Sequence, residues 1–185
     1  VAQDFVELPS QIMEHWAVEP EVLKLYAKHY ETREVIPDEL ITKIQNKGTF
    51  NQGFMTTELL AAALLDMELH NLTDTDNLNV VDFEKETMDK LGLIPEIAPR
   101  YRATYFSHII GGYAAGYYSY LWAEVLDTDA FEAFKEHGVF DKNTADSFRK
   151  NILEKGGTED PMTLYRGFRG ADPSLEPLLK NRGLK

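Results

Sequence analysis

His108-Ile109-Ile110-Gly111-Gly112-Tyr113-Ala114-Ala115-Gly116-Tyr117-Tyr118-Ser119-Tyr120-Leu121-Trp122 is the stretch whose reading decides the fold, and from Ile109 onward no charged residue appears before Glu124. Tyr113, Tyr117 and Tyr120 stand at i, i+4 and i+7, so a helix over Tyr113–Leu126 places the three phenols on one face. A helix apolar on nearly every side belongs inside a helical core. Burying a row of phenols raises an accounting problem, because each unpaired hydroxyl costs about 1–3 kcal/mol. Either other polar side chains meet them, or the stripe lines a wet cavity. Gly111-Gly112 permits backbone conformations closed to other residues, and His108 lies just upstream. Tyrosines at helical spacing also occur as plain core, so spacing alone leaves both readings open.

Outward from this stretch the punctuation reads as helix after helix. Asp4 and Glu7 have capping-box spacing ahead of Ile12, Met13 and Trp16, which predicts a helix to about Ala17, kinked at Pro9 or starting later. Pro20 and Pro37 sit where first helical residues would, opening segments to about Glu31 and to Lys47, where Gly48 ends the second. Their stripes are Val22, Leu23, Tyr26 and Tyr30, then Leu40, Ile41 and Ile44. Asn51–Asn71 reads as one long helix with Leu59, Leu60, Ala63, Leu64 and Met67 as its apolar positions. Thr73–Val81 reads as a polar loop, and Asp82 is placed to cap a helix through Leu91. Helices are further predicted over Arg100–Ile110, Asp129–His137, Asp141–Glu154 and once after Pro161. No alternating strand pattern occurs, and the fold class is all-α, multi-helical, read as one helical domain over residues 1–185.

Composition narrows the function. The 185 residues are 43% hydrophobic and 27% charged, enough apolar content for a real core. No run of eighteen uncharged apolar residues is present, which speaks against a membrane-spanning helix. The net charge of −12 opposes binding to nucleic acid or anionic membrane surfaces. The absence of Cys excludes disulfides, thiol catalysis and thiolate metal sites. Cytoplasm and periplasm are equally compatible with the composition.

Two acids stand beside the tyrosines as candidates. Glu7 and Glu14 are seven apart, so on a continuous helix they face the same way, one able to ligate a metal and the other to support a ligand. The plain alternatives are a helix cap for Glu7 and an exposed helix face for Glu14. No two of His15, His29, His70, His108 and His137 lie three or four apart, and His-Glu-x-x-His is absent. Asp66 and His70 form an i, i+4 pair of the kind usually found on a helix surface. Nucleotide-binding glycine motifs and Gly-x-Ser-x-Gly are absent as well.

At these residues the chain resembles the thimet oligopeptidase and dipeptidyl carboxypeptidase family of zinc metallopeptidases. Asp4-Phe5-Val6-Glu7-x-Pro9-Ser10-Gln11-x-x-Glu14-x-Trp16 looks like the segment following that family's His-Glu-x-x-His helix, and His108–Trp122 looks like its tyrosine-rich substrate segment. Phe50-Asn51-x-Gly53-Phe54 and Leu178-Leu179-Lys180-Asn181-Arg182-Gly183-Leu184 also fit, the last pointing to the bacterial dipeptidyl carboxypeptidase branch. The resemblance implies the C-terminal portion of a neurolysin-like zincin catalytic fold. It makes Glu7 the third zinc ligand and Glu14 a support for the metal site. It makes His108, Tyr113 and Tyr117 substrate-binding residues, with His108, Tyr117 and Tyr120 catalytic through hydrogen bonds to the scissile carbonyl.

The same resemblance sets expectations for the cofactor and partners. Zn2+ serves one complete active site, its two histidines and general-base Glu lying upstream, about twenty-five residues before Glu7. Val1 then reads as an internal start, and the chain alone is catalytically inactive and does not hold zinc. Its partners are short peptide substrates, from which C-terminal dipeptides are released, and the N-terminal portion of the same enzyme. Apolar surface left bare at the cut face would favour dimerisation. The competing reading is a non-catalytic helical interaction or scaffold domain.

Overall fold

Pro9 decides where the first helix begins. The computed structural model describes residues 1–185, and in it α1 spans Leu8–Trp16 with Glu7 at the N-cap position. Proline lacks an N–H and is tolerated only in a first turn, so the helix starts three residues later than a cap at Asp4 would require. The other helices are α2 (Pro20–Tyr26), α3 (Asp38–Gly48), α4 (Gln52–His70), α5 (Val80–Lys90), α6 (Ser119–His137), α7 (Lys142–Phe148), α8 (Pro161–Arg169) and α9 (Glu176–Asn181). The fold is all-α, its only extended pairing being the isolated bridge Lys28–Val35. No helix is long and apolar enough to cross a membrane.

Several expected boundaries move for identifiable reasons. α2 stops at Tyr26 because residues 28–35 turn back on themselves, and of its predicted stripe only Leu23 is buried. α5 is capped by Asn79, whose side chain accepts from the N–H groups of Val81 and Asp82, so Asp82 falls inside the first turn. The predicted helix over Arg100–Ile110 is two short 3-10 turns, Ala103–Tyr105 and Ser107–Ile110. Asp129–His137 belongs to the continuous α6. Asp141 caps α7 as expected, but Arg149–Leu153 continues as a π-turn, and α9 follows α8. On α4 the predicted apolar positions Leu60, Leu64 and Met67 are exposed, while Ala61, Ala62, Leu65 and Asp66 are buried. A helix apolar around most of its circumference gives its sequence no preferred inner face.

The chain forms two compact units, residues 1–50 with 122–185, and residues 51–121. The first is built on α6. Leu126, Ala130, Phe131 and Phe134 of that helix pack with Phe5, Leu8 and Ile12 from the α1 region and with Phe148, Ile152, Leu164 and Tyr165. Trp16 sets its ring edge-on to Phe131 and Phe134 and donates through Nε1 to the carbonyl of Val139 at 2.8 Å. The C-terminus is tied in by Arg182, buried, whose Nε donates to Glu124 Oε1 at 2.9 Å. Next to it Gly183 is left-handed (φ +65°), and a Cβ there would lie 2.9 Å from that of Thr49, so only glycine fits.

Tyr165 carries the polar load at the centre of this core. It is fully buried, and its hydroxyl lies 2.6 Å from Asp129 Oδ2 and 3.1 Å from the Leu126 carbonyl. Burial, followed by the neighbouring Asp129 carboxylate, pushes its ionisation far above the usual phenol range. Tyr165→Phe keeps the ring and removes the one hydrogen that the Asp129 carboxylate and the Leu126 carbonyl share. Urea unfolding of the protein should show a loss of about 1–3 kcal/mol without a change in the urea dependence.

Candidate active site

α1 presents two acids. Glu7, half-buried at its N-cap, accepts from Ser10 Oγ at 2.5 Å, and Glu14, two turns later on the same side, is exposed. The helix is held by Asp127 of α6, which meets Gln11 and His15 on the flank next to those acids. That carboxylate is buried, accepts from Gln11 Nε2 at 3.0 Å and lies 2.5 Å from His15 Nε2, and the His15 ring stacks on Phe131 at 4.8 Å. Burial raises the Asp127 pKa, and hydrogen bonds from His15 and Gln11 oppose the rise. A buried acid met by two partners from one helix fixes that helix in rotation, and with it the direction of Glu7 and Glu14.

The second unit holds the tyrosines, in a form that differs from the expected helix. Residues 111–118 are a series of turns, and α6 starts only at Ser119. Ala115 is left-handed (φ +52°), which interrupts any helix and costs an L-residue about 1–2 kcal/mol. The compensation comes from α4. Asp66, fully buried, accepts from the backbone N–H of Ala115 through Oδ1 and from that of Tyr117 through Oδ2, both at 2.9 Å. Hydrogen bonds to a charged acceptor contribute about 1.5–3 kcal/mol each, enough to outweigh one left-handed residue. His70 Nδ1 lies 2.9 Å from Asp66 Oδ1 and gives the carboxylate a basic neighbour. By spacing alone this i, i+4 pair belongs on the helix surface; the complete burial of Asp66 corrects that.

The turn brings the expected residues together by a route other than helical spacing. The His108 ring lies 5.3 Å from Tyr117, 5.8 Å from Tyr113 and 6.0 Å from Tyr120, centroid to centroid, all edge-on. Tyr113 and Tyr120 stack at 5.1 Å with an 11° interplanar angle, and Tyr117 meets Tyr120 edge-on at 5.2 Å. Tyr101, which sequence reading did not single out, closes the group 4.9 Å from His108. Phe106, Ile109, Ala62 and Ala63 form the apolar floor beneath Tyr117.

Two polar features of the cluster bear on chemistry. His108 Nδ1 is buried without a hydrogen-bond partner, an arrangement that costs about 1–3 kcal/mol and is relieved by any ligand able to supply the missing group. Arg100, itself 3.6 Å from Glu58, is near enough to the Tyr117 side chain to lower its pKa against the effect of burial. Within neither unit do three His, Asp or Glu side chains converge as a metal site would require. A tetrahedral zinc centre would need donors beyond those that either unit gathers.

Burial raises the Tyr117 pKa above its ordinary 10.0, opposed by Arg100. Between the two values the unfolded chain has released a proton that the folded one keeps, so stability is intact below pH 10.0 and falls as pH rises beyond it. Alkaline difference spectra should show Tyr117→Phe removing a phenolate that appears only after the exposed tyrosines have titrated. Loss of an early-titrating phenolate instead would contradict the burial.

Peptidase family M3 matches residues 1–184. The chain is 47% identical to dipeptidyl carboxypeptidase of Escherichia coli K12 over 98% of its own length and 27% of that protein. It is 41% identical to oligopeptidase A of Haemophilus influenzae over 100% of its length and 27% of that protein. It is 33% identical to saccharolysin of Saccharomyces cerevisiae, again over 100% of its length and 26% of the relative. The chain thus spans about a quarter of the length of these relatives. With a family match running almost from end to end, the chain belongs to peptidase family M3.

Proposed function

We propose that this chain is the C-terminal part of a zinc-dependent peptidase acting on short peptides and releasing C-terminal dipeptides. Glu7 serves as one ligand of the metal, and Glu14, on the same side of α1, supports another ligand by hydrogen bonding. When bound, zinc supplies Lewis acidity and a water of lowered pKa. The remaining ligands and the general base come from sequence outside these 185 residues, so the chain by itself does not turn over substrate. The branch is supported by identity of 47% and 44% to two dipeptidyl carboxypeptidases, against 41% to bacterial oligopeptidase A proteins.

The observation that carries the reading is the His108 cluster, where one imidazole lacking a partner at Nδ1 sits among three phenols. Such a group is costly as core and useful as a receptor for peptide. Tyr113 and His108 hold the peptide backbone. Tyr117 offers its hydroxyl to the substrate, and Tyr120 donates to the carbonyl oxygen as negative charge develops there. The edge-on rings exclude water around these donors, which strengthens each hydrogen bond. One donor to a developing oxyanion contributes typically about a hundred- to a thousand-fold in rate.

Two experiments test this. In the complete protein, Glu7→Gln should release bound zinc, whereas Tyr120→Phe should retain zinc and lower kcat by roughly a hundred-fold or more with a smaller effect on KM. An effect of Tyr120→Phe confined to KM would make it a binding residue only. Separately, residues 1–185 alone should leave short peptides intact in the presence of added zinc, and zinc-dependent turnover by them would refute the division of the active site.

A further inference from the structure

We infer that Asp66 is a positioning residue for peptide hydrolysis, holding the turn 111–118 in the one shape in which His108, Tyr113, Tyr117 and Tyr120 meet. The inference rests on the reading of that cluster as the substrate site. Asp66 stands on α4, about fifty positions before the residues it acts on, and is completely buried. Both of its oxygens are committed to the backbone of the tyrosine segment, Oδ1 to the N–H of Ala115 and Oδ2 to that of Tyr117. Fixing two N–H groups on either side of Gly116 fixes the orientation of the peptide planes between them. The direction of the Tyr117 side chain follows, and so does the point from which the chain enters α6 with Tyr120 in its first turn.

A carboxylate suits this task because it accepts at both oxygens and donates at neither. Asparagine in its place keeps the shape and one acceptor but turns the other position into an NH2 group facing an N–H. His70 Nδ1 at 2.9 Å is the basic neighbour, from the same helix. Ala115 has no intrinsic preference for its left-handed backbone (φ +52°), so without the carboxylate the turn loses what selects it. Glycine adopts that conformation freely, which makes Ala115→Gly a specific repair.

The test uses the complete zinc-loaded protein and a short peptide substrate. Asp66→Asn should lower kcat by tens- to roughly a hundred-fold, the scale of a small misplacement of catalytic groups, with KM changing less. Bound zinc should be retained, and hydrogen exchange should accelerate at the amides of residues 115–117 while the middle of α4 stays protected. Adding Ala115→Gly to Asp66→Asn should recover part of the lost kcat, which a merely structural role for Asp66 would not produce. A kcat within about two-fold of wild type overturns the inference, as does lost activity that Ala115→Gly fails to restore in a folded, zinc-bound protein. If Asp66→Asn does not fold, Asp66→Glu decides: it keeps the charge one methylene out of place, and undiminished kcat in it counts against the inference. Tyr120→Phe run alongside separates the two ideas. Were it also silent, the site reading itself would fall; were it impaired and Asp66→Asn not, only the role of Asp66 would.

Discussion

Two backbone N–H groups, those of Ala115 and Tyr117, end on the two oxygens of one buried carboxylate. That contact replaces the intrahelical bonds the segment would otherwise make, and it is what permits a left-handed alanine between a glycine pair and α6. The consequence is a tight turn, not a helical stripe, as the means of gathering His108, Tyr113, Tyr117 and Tyr120. Four polar aromatic side chains from a turn can approach one another around a single imidazole, whereas on an α-helix positions i, i+4 and i+7 lie in a row. In the proposed function, that convergence is what lets several donors meet one ligand.

The first unit applies related physics along α6. Three acids on that helix each meet a different partner element: Glu124 meets Arg182 beyond α9, Asp127 meets Gln11 and His15 of α1, and Asp129 meets Tyr165 of α8. Asp127 and Asp129 are buried and Glu124 partly so, and buried acids are costly unless paired, so each contact favours one placement of its partner element. Hydrophobic packing among Leu8, Ile12, Phe131 and Phe134 supplies cohesion without direction. The acids supply the direction, and for α1 that direction sets where Glu7 and Glu14 point.

The family resemblance read from Asp4–Trp16 and His108–Trp122 agrees with the match over residues 1–184, and the helical class was legible from proline and glycine punctuation alone. α4 and the capped start of α7 stand close to where their signals put them. His108 and three of the four tyrosines of one uncharged stretch could be named as candidates, although their spacing alone left a plain core open. Their neighbours could not. Tyr101 and Arg100 lie in a segment that reads as a helix and folds as 3-10 turns, and nothing in local spacing points from Asp66 to Ala115.

The sequence by itself determined the helical class, the starts of α2 at Pro20 and of α7 at its Asp141 cap, and which side chains are able to donate, accept or ligate. These are properties of a few neighbouring residues, dictated by backbone sterics and local hydrogen bonding. Only the tertiary structure decided which face of α4 is buried, that residues 111–118 turn instead of continuing a helix, and that Asp66 is an internal acceptor. Each of those outcomes depends on pairing groups tens of residues apart, where a buried carboxylate must find donors wherever the chain brings them.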